Sequence, residues 1–122
     1  MINVFPVSTD IIAASATATT AGIVTVPGGR WMTANIVLSG VISGVGTATP
    51  NVTYDVPGGT SGAAPANGTV LHEIVMGGLL GVINGTSCEH EIIVYGGNNG
   101  CTLNFNLGGA TSAICVINGF LI

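Results

Sequence analysis

Cys101-Thr-Leu-Asn-Phe-Asn-Leu107 alternates without a break. Cys101, Leu103, Phe105 and Leu107 fall on one side, and Thr102, Asn104 and Asn106 on the other. Side chains along a strand point to opposite faces in turn, so this stretch reads as a half-buried β-strand. Asn51-Val-Thr-Tyr-Asp-Val56 does the same, with Val52, Tyr54 and Val56 inward and Asn51, Thr53 and Asp55 outward. From Arg30 to Ser39 the even positions Met32, Ala34, Ile36 and Leu38 face a core, and Trp31, Thr33, Asn35 and Ser39 face out. Gly40 reads as a bulge or bend before Val41-Ile42. Val70 to Met76 places Val70, His72, Ile74 and Met76 together, and Ser87 to Tyr95 does likewise with Cys88, His90, Ile92 and Val94.

The gaps between these runs carry turn chemistry. Pro27-Gly28-Gly29, Pro57-Gly58-Gly59, Gly77-Gly78, Asn84-Gly85, Gly96-Gly97-Asn98-Asn99-Gly100 and Gly108-Gly109 supply the positive φ that tight connections need. Short alternating strands between such turns predict an all-β sandwich or barrel. The longest gap, Pro57 to Thr69, is rich in Gly, Ala, Pro and Asn and reads as an exposed loop of functional length.

The chain is 122 residues long, one domain's worth, and only six side chains are charged: Asp10, Arg30, Asp55, Glu73, Glu89 and Glu91. Charged residues make up 5% of it, against about 25% in a typical soluble domain. Nucleic-acid binding is excluded, because neutralising phosphates takes several Lys and Arg on one face and this chain has one Arg and no Lys. No uninterrupted apolar run is long enough to cross a membrane as a helix. So few charges do little to keep free copies apart, which points to a surface covered by other copies or a larger partner. The first basic residue is Arg30, so the N-terminus lacks the charged start of a secretory signal. Cys88, Cys101 and Cys115 are odd in number with no Cys-x-x-Cys pair, as expected of reduced thiols in a protein folded in cytoplasm. The Asn-x-Thr sequences at Asn51, Asn67 and Asn84 then read as ordinary strand and turn residues.

Candidate chemistry is sparse. His72, His90 and Cys88 share inward parity and would converge if their strands are neighbours, but a zinc site needs three or four ligands with support behind them. Core or half-buried histidines are the plainer account. Glu73, Glu89 and Glu91 are the carboxylates available for glycoside hydrolysis, and their outward parity makes them solvated face residues. No Gly-x-Ser-x-Gly elbow or cysteine-nucleophile signature occurs. Gly40-x-x-x-Gly44-x-Gly46 lacks the strand–loop–helix order of a dinucleotide site. The expectation is therefore a protein without catalytic, cofactor or metal residues, and not an enzyme.

Two segments depart from simple alternation. Residues 1–21 join a short Ile2–Val4 strand to a small, polar stretch, and read either as an extended arm or as a first strand with an irregular lead-in; the sandwich proper is placed at 22–122. Ala113 to Ile122 is apolar on both faces, with Ile114, Val116, Phe120 and Ile122 against Cys115, Ile117 and Leu121. A strand of that kind needs a central place in a sandwich or a subunit contact over its outer face. Cys115, Ile117 and Leu121 are accordingly interface candidates. So are Arg30 and Trp31, an interaction anchor if exposed and a cap on the sandwich if buried.

Val24-Thr-Val-Pro-Gly-Gly-Arg-Trp-Met-Thr-Ala-Asn-Ile-Val-Leu-Ser39 resembles the opening hairpin of small β-sandwich proteins of tailed bacteriophages. Gly108-Gly-Ala-Thr-Ser-Ala-Ile-Cys-Val-Ile-Asn-Gly-Phe-Leu-Ile122 is similar to their closing strand. Together the two cover about a quarter of the chain. The family resembled is the jelly-roll head decoration, or cement, proteins of phage capsids. The resemblance implies a jelly-roll-like antiparallel sandwich of about eight strands, made in the host cytoplasm and carried on the virion. It further implies homotrimers bound to the major capsid protein on the outside of the head, where they reinforce the shell. Two alternatives stand beside it: a fibre or spike tip that recognises a host surface, and a cupin-like metalloenzyme.

Overall fold

The computed structural model describes residues 10–55, 68–78 and 83–122, the side chains of Ile83 and Asn84 apart. Ten strands occupy them: β1 (Ile11–Ala16), β2 (Thr20–Val26), β3 (Trp31–Ser43), β4 (Gly46–Ala48), β5 (Asn51–Asp55), β6 (Val70–Glu73), β7 (Met76–Gly78), β8 (Ile83–Tyr95), β9 (Cys101–Asn106) and β10 (Ser112–Leu121). No helix lies among the described residues. The three sheets have the orders β1-β10-β3-β8, β2-β9-β5-β6 and β4-β7, and every pairing is antiparallel. With the short β4-β7 ribbon set aside, eight strands divide between two four-stranded sheets. Counted along the chain they are first, eighth, third and sixth in one sheet, and second, seventh, fourth and fifth in the other. That order is a jelly roll, two Greek keys folded into a sandwich.

The alternating faces meet in the middle. Met32, Ile36 and Leu38 of β3, Cys115 and Ile117 of β10, Val52 and Tyr54 of β5, and Leu103 and Phe105 of β9 are all essentially inaccessible to solvent. Each side chain of this kind gains about 1.5–3 kcal/mol on leaving water, which is why the parity of β3, β5 and β9 is obeyed throughout. Polar contacts also cross the layers; in the core, Tyr54 Oη donates to Tyr95 O at 2.9 Å. One end of the sandwich is closed by two Gly-rich turns. Gly29 N donates to Gly97 O at 2.8 Å and Gly96 N to Arg30 O at 2.9 Å. A Cβ on Gly28 would lie 2.6 Å from Asn98 O, so side chains there would force the turns apart.

Four expectations are revised. Gly40 forms no bulge, since β3 stays in register with β8 from Trp31 to Ser43. Its need for glycine lies in the core, where a Cβ would meet Met76 Sδ at 3.0 Å and Pro50 Cγ at 3.2 Å. Val70 to Met76 is two strands, because the chain leaves β5 after Glu73 and joins the β4 ribbon at Met76. A register shift between Val52 and Thr53 of the β5–β6 pair also breaks the parity, and Val70 is exposed while His72 is buried. The boundary drawn at residue 21 falls inside β2, and Ile11–Ala16 is an edge strand of the first sheet. Residues 10–21 therefore belong to the sandwich. The Ile2–Val4 strand, and most of the Pro57–Thr69 loop, lie outside the described residues.

Candidate interaction surface

The two outer faces of the sandwich differ. On the β2-β9-β5-β6 sheet most outward residues are polar, Thr25, Thr102, Asn104, Asn106, Asn51, Thr53, Asp55 and Glu73, with Ile23 and the exposed Val70 as apolar exceptions. They bond one another and the backbone: Asn106 Nδ2 donates to Asn51 Oδ1 at 3.0 Å, and Asn104 Oδ1 accepts from Gly22 N at 2.8 Å. The β1-β10-β3-β8 sheet turns a different face outward. Its strand register sets side chains in rows across the sheet, each running from β1 through β10 and β3 to β8. The first is Ile11–Phe120–Thr33–Ile93, the second Ala13–Asn118–Asn35–Glu91 and the third Ser15–Val116–Val37–Glu89. Ile114, Ser39 and Ser87 follow in the fourth, and Ser112, Val41 and Gly85 in the fifth. Ile11, Ile114 and Ile93 are 54, 50 and 69% exposed, and Phe120 is 39% exposed. Large apolar side chains gathered on one sheet face mark a contact surface, where singly scattered ones would not.

The relief is uneven. One depression of about 210 Å³ lies over Thr33, Asn35, Glu91, Asn118 and Phe120. A second, of about 270 Å³, lies over Ser39, Val41, Gly85 and Thr86 beside Ile114, where glycine and small side chains leave the sheet thin. Asn35 lines the first, and its Oδ1, turned away from solvent, is the one side-chain N or O atom among those described that is buried without a hydrogen-bond partner. Leaving such an atom unpaired costs about 1–3 kcal/mol.

The sequence-derived candidates divide. Trp31 is 44% exposed at the end of this face, its ring 4.8 Å from that of Tyr95. Arg30 is occupied within the chain: Nη2 pairs with Asp10 Oδ1 at 3.2 Å and Nε donates to Ile122 O at 3.2 Å. It clamps the start of β1 and the end of the chain, and offers little free charge to a partner. Cys115, Ile117 and Leu121 are core residues of a single subunit. The outward face of β10 is the other one, Ile114, Val116 and Phe120, because the pairing of Cys115 with Leu38 and Ile117 with Ile36 turns those side chains inward.

His72 and His90 do approach each other, with ring centroids 5.3 Å apart and planes tilted by 24°. His72 Nε2 lies 3.2 Å from Cys88 O, a backbone atom, and the Cys88 thiol is at the surface. His90 and Cys88 share the parity of buried Ile92 and Val94 yet are exposed, since β8 is an edge strand that outruns the core. Among the described residues no three His, Cys, Asp or Glu side chains gather as a metal would require. Glu73, Glu89 and Glu91 are all exposed.

Burial favours the neutral forms of Tyr54, Cys101 and Cys115. Burial pushes the Cys115 thiol up to about 11. Burial also raises Cys101, with hydrogen bonds to Tyr54 and Val26 pulling the other way. The Tyr54 phenol is raised well beyond its ordinary value, by burial first and then by the Cys101 thiol beside it. A nucleophilic thiolate is thus disfavoured at both interior cysteines. Compared with family models, curated proteins and solved structures, the chain matches none. Among the described residues no helix is long and apolar enough to cross a membrane.

Proposed function

We propose that this chain is a non-enzymatic structural subunit of a phage particle, bound as a homo-oligomer to the major capsid protein on the outside of the head, where it stiffens the shell. The single observation that carries the reading is the contrast between the two outer faces. One is mainly a self-bonded field of Asn and Thr, and the other exposes Ile11, Ile93, Ile114 and Phe120, with its carboxylates, Glu89 and Glu91, confined to the edge strand β8. A subunit presenting such a face is built to be covered. Many weak, repeated contacts then add up through multivalent attachment. Hydrogen bonds from Ser, Thr and Asn also avoid the desolvation cost of buried ion pairs.

The test is addition of purified protein to particles made without it. Co-sedimentation at saturating, countable copy number with a raised temperature of genome release supports the reading. Particles that neither bind the protein nor gain heat resistance contradict it. A second reading, a fibre-tip module contacting a host surface, is favoured by the exposed Trp31 packed at a tilt beside Tyr95. Aromatic residues are preferred anchors in recognition surfaces.

A further inference from the structure

We infer that the outer face of the β1-β10-β3-β8 sheet is a self-association surface, and that its occupant is the same face of a second copy related by a two-fold axis. The axis runs parallel to the strands, between β10 and β3. The inference does not depend on a capsid as the final partner.

Sheets that pack face to face keep their strands within about 30° of one another and lie about 10 Å apart. Two two-fold arrangements satisfy this. An axis across the strands would reverse the rows and set the third row on itself, so that Glu89 would oppose Glu89 of the other copy. An axis along the strands keeps each row on its own row and places β1 over β8 and β10 over β3. The carboxylates then meet uncharged partners, Glu89 opposite Ser15 and Glu91 opposite Ala13. The charge pattern selects the second arrangement.

The remaining pairs of that arrangement are complementary. In the first row Ile11 meets Ile93, two of the most exposed apolar side chains of the protein. In the third Val116 meets Val37, both half-buried already. In the fourth Ile114 stands over Ser39, at the depression of about 270 Å³ that the small residues leave on the β3–β8 side. In the second Asn118 stands over the half-buried Asn35, so two uncharged amides face each other across the axis. The Ser15 hydroxyl likewise becomes a donor to the Glu89 carboxylate. Strands spaced by about 4.8 Å, with some ten residues of β10 over β3 and the six of β1 over β8, give a flat footprint of roughly 500 Å². Side-chain relief brings this toward the roughly 800 Å² per partner of an ordinary stable interface. The expected assembly is a closed dimer, in place of the trimer that the phage resemblance implies.

Sedimentation velocity on the purified full chain, with charge variants across the proposed contact, is the test. Ser15 and Glu89 of one copy are three strands apart, about 14 Å, and become neighbours only across the two-fold axis. The wild-type protein should sediment as a dimer by about 100 µM, which allows for the weak end of interfaces of this size. Ser15→Glu should weaken the dimer at least tenfold by opposing two carboxylates, and Ser15→Glu with Glu89→Lys should restore it. Circular dichroism and a melting curve taken at matched concentration establish that both variants fold. A wild-type monomer, a trimer or an open ladder overturns the proposal. So does a folded Ser15→Glu protein that dimerises normally, or one that Glu89→Lys fails to rescue. Capsid binding is scored separately, so a dimer that ignores capsids sinks the functional reading alone.

Discussion

Phe105 and Asn104 are adjacent in β9 and face opposite ways, so truncating each in turn separates core packing from surface polarity. Phe105 has no solvent exposure and lies between Thr20 of β2 and Val52 of β5. Phe105→Ala removes a ring from a close-packed interior that collapses only in part around the gap, which costs about 3–5 kcal/mol. Asn104→Ala loses the bond to Gly22 N, an exposed contact at the point where the β2–β9 register shifts. Water can replace that acceptor, so the cost is about 0.5–1 kcal/mol. For a domain of this size about 1 kcal/mol moves the midpoint by roughly 3–5 °C, so Phe105→Ala should melt roughly 10–20 °C below the wild type. Asn104→Ala should melt no more than about 5 °C below it. Urea unfolding at one fixed protein concentration, with the slope checked for constancy, gives the free energies directly. Equal losses at the two sites, in protein shown to be monomeric under the assay conditions, would refute the assignment of faces in β9.

Other perturbations follow from the buried polar groups. The unfolded chain exposes Cys115 as an ordinary thiol, which ionises before the buried one, so above that value the unfolded state binds fewer protons and stability falls as pH rises. Stability is full below about pH 9 and should drop by about 2–3 kcal/mol as the pH passes through about 11; a flat profile over that interval would contradict the burial of Cys115. Tyr54→Phe leaves the packing intact and removes only the bond to Tyr95 O, so a loss of about 1 kcal/mol is expected in urea titration, and a loss of more than about 3 kcal/mol would mean the hydroxyl does something else. One thiol, Cys88, should react promptly with a maleimide in the native protein and three after denaturation; a second fast thiol, or a total below three, would overturn the cysteine assignments.

Much of the fold was legible because alternation is a local signal. β5, β9 and the first half of β3 follow from parity alone, and the all-β class from those strands and their turns. What stayed hidden depends on neighbours far away in the chain. Gly40 looks like a strand breaker until Met76 and Pro50 are seen against it. Parity put His90 and Cys88 with Ile92 and Val94, but β8 extends past the layer that would cover them. The C-terminal strand was readable as apolar on both sides, which left Cys115, Ile117 and Leu121 open between a subunit contact and the sandwich centre; pairing with β3 puts them in the centre. The contact face itself is assembled from four strands between Ile11 and Phe120, so no local window contains it. A local signal of that face is Ile93, an exposed apolar residue on the same parity of β8 as Glu89 and Glu91.

The most direct test of the structural-subunit account is to locate the chain in virions by electron cryomicroscopy, comparing particles made with and without its gene. The account predicts additional jelly-roll density at regular positions on the outer surface of the head, absent from particles lacking the gene. Density confined to the tail, or particles identical in the two preparations, would contradict it.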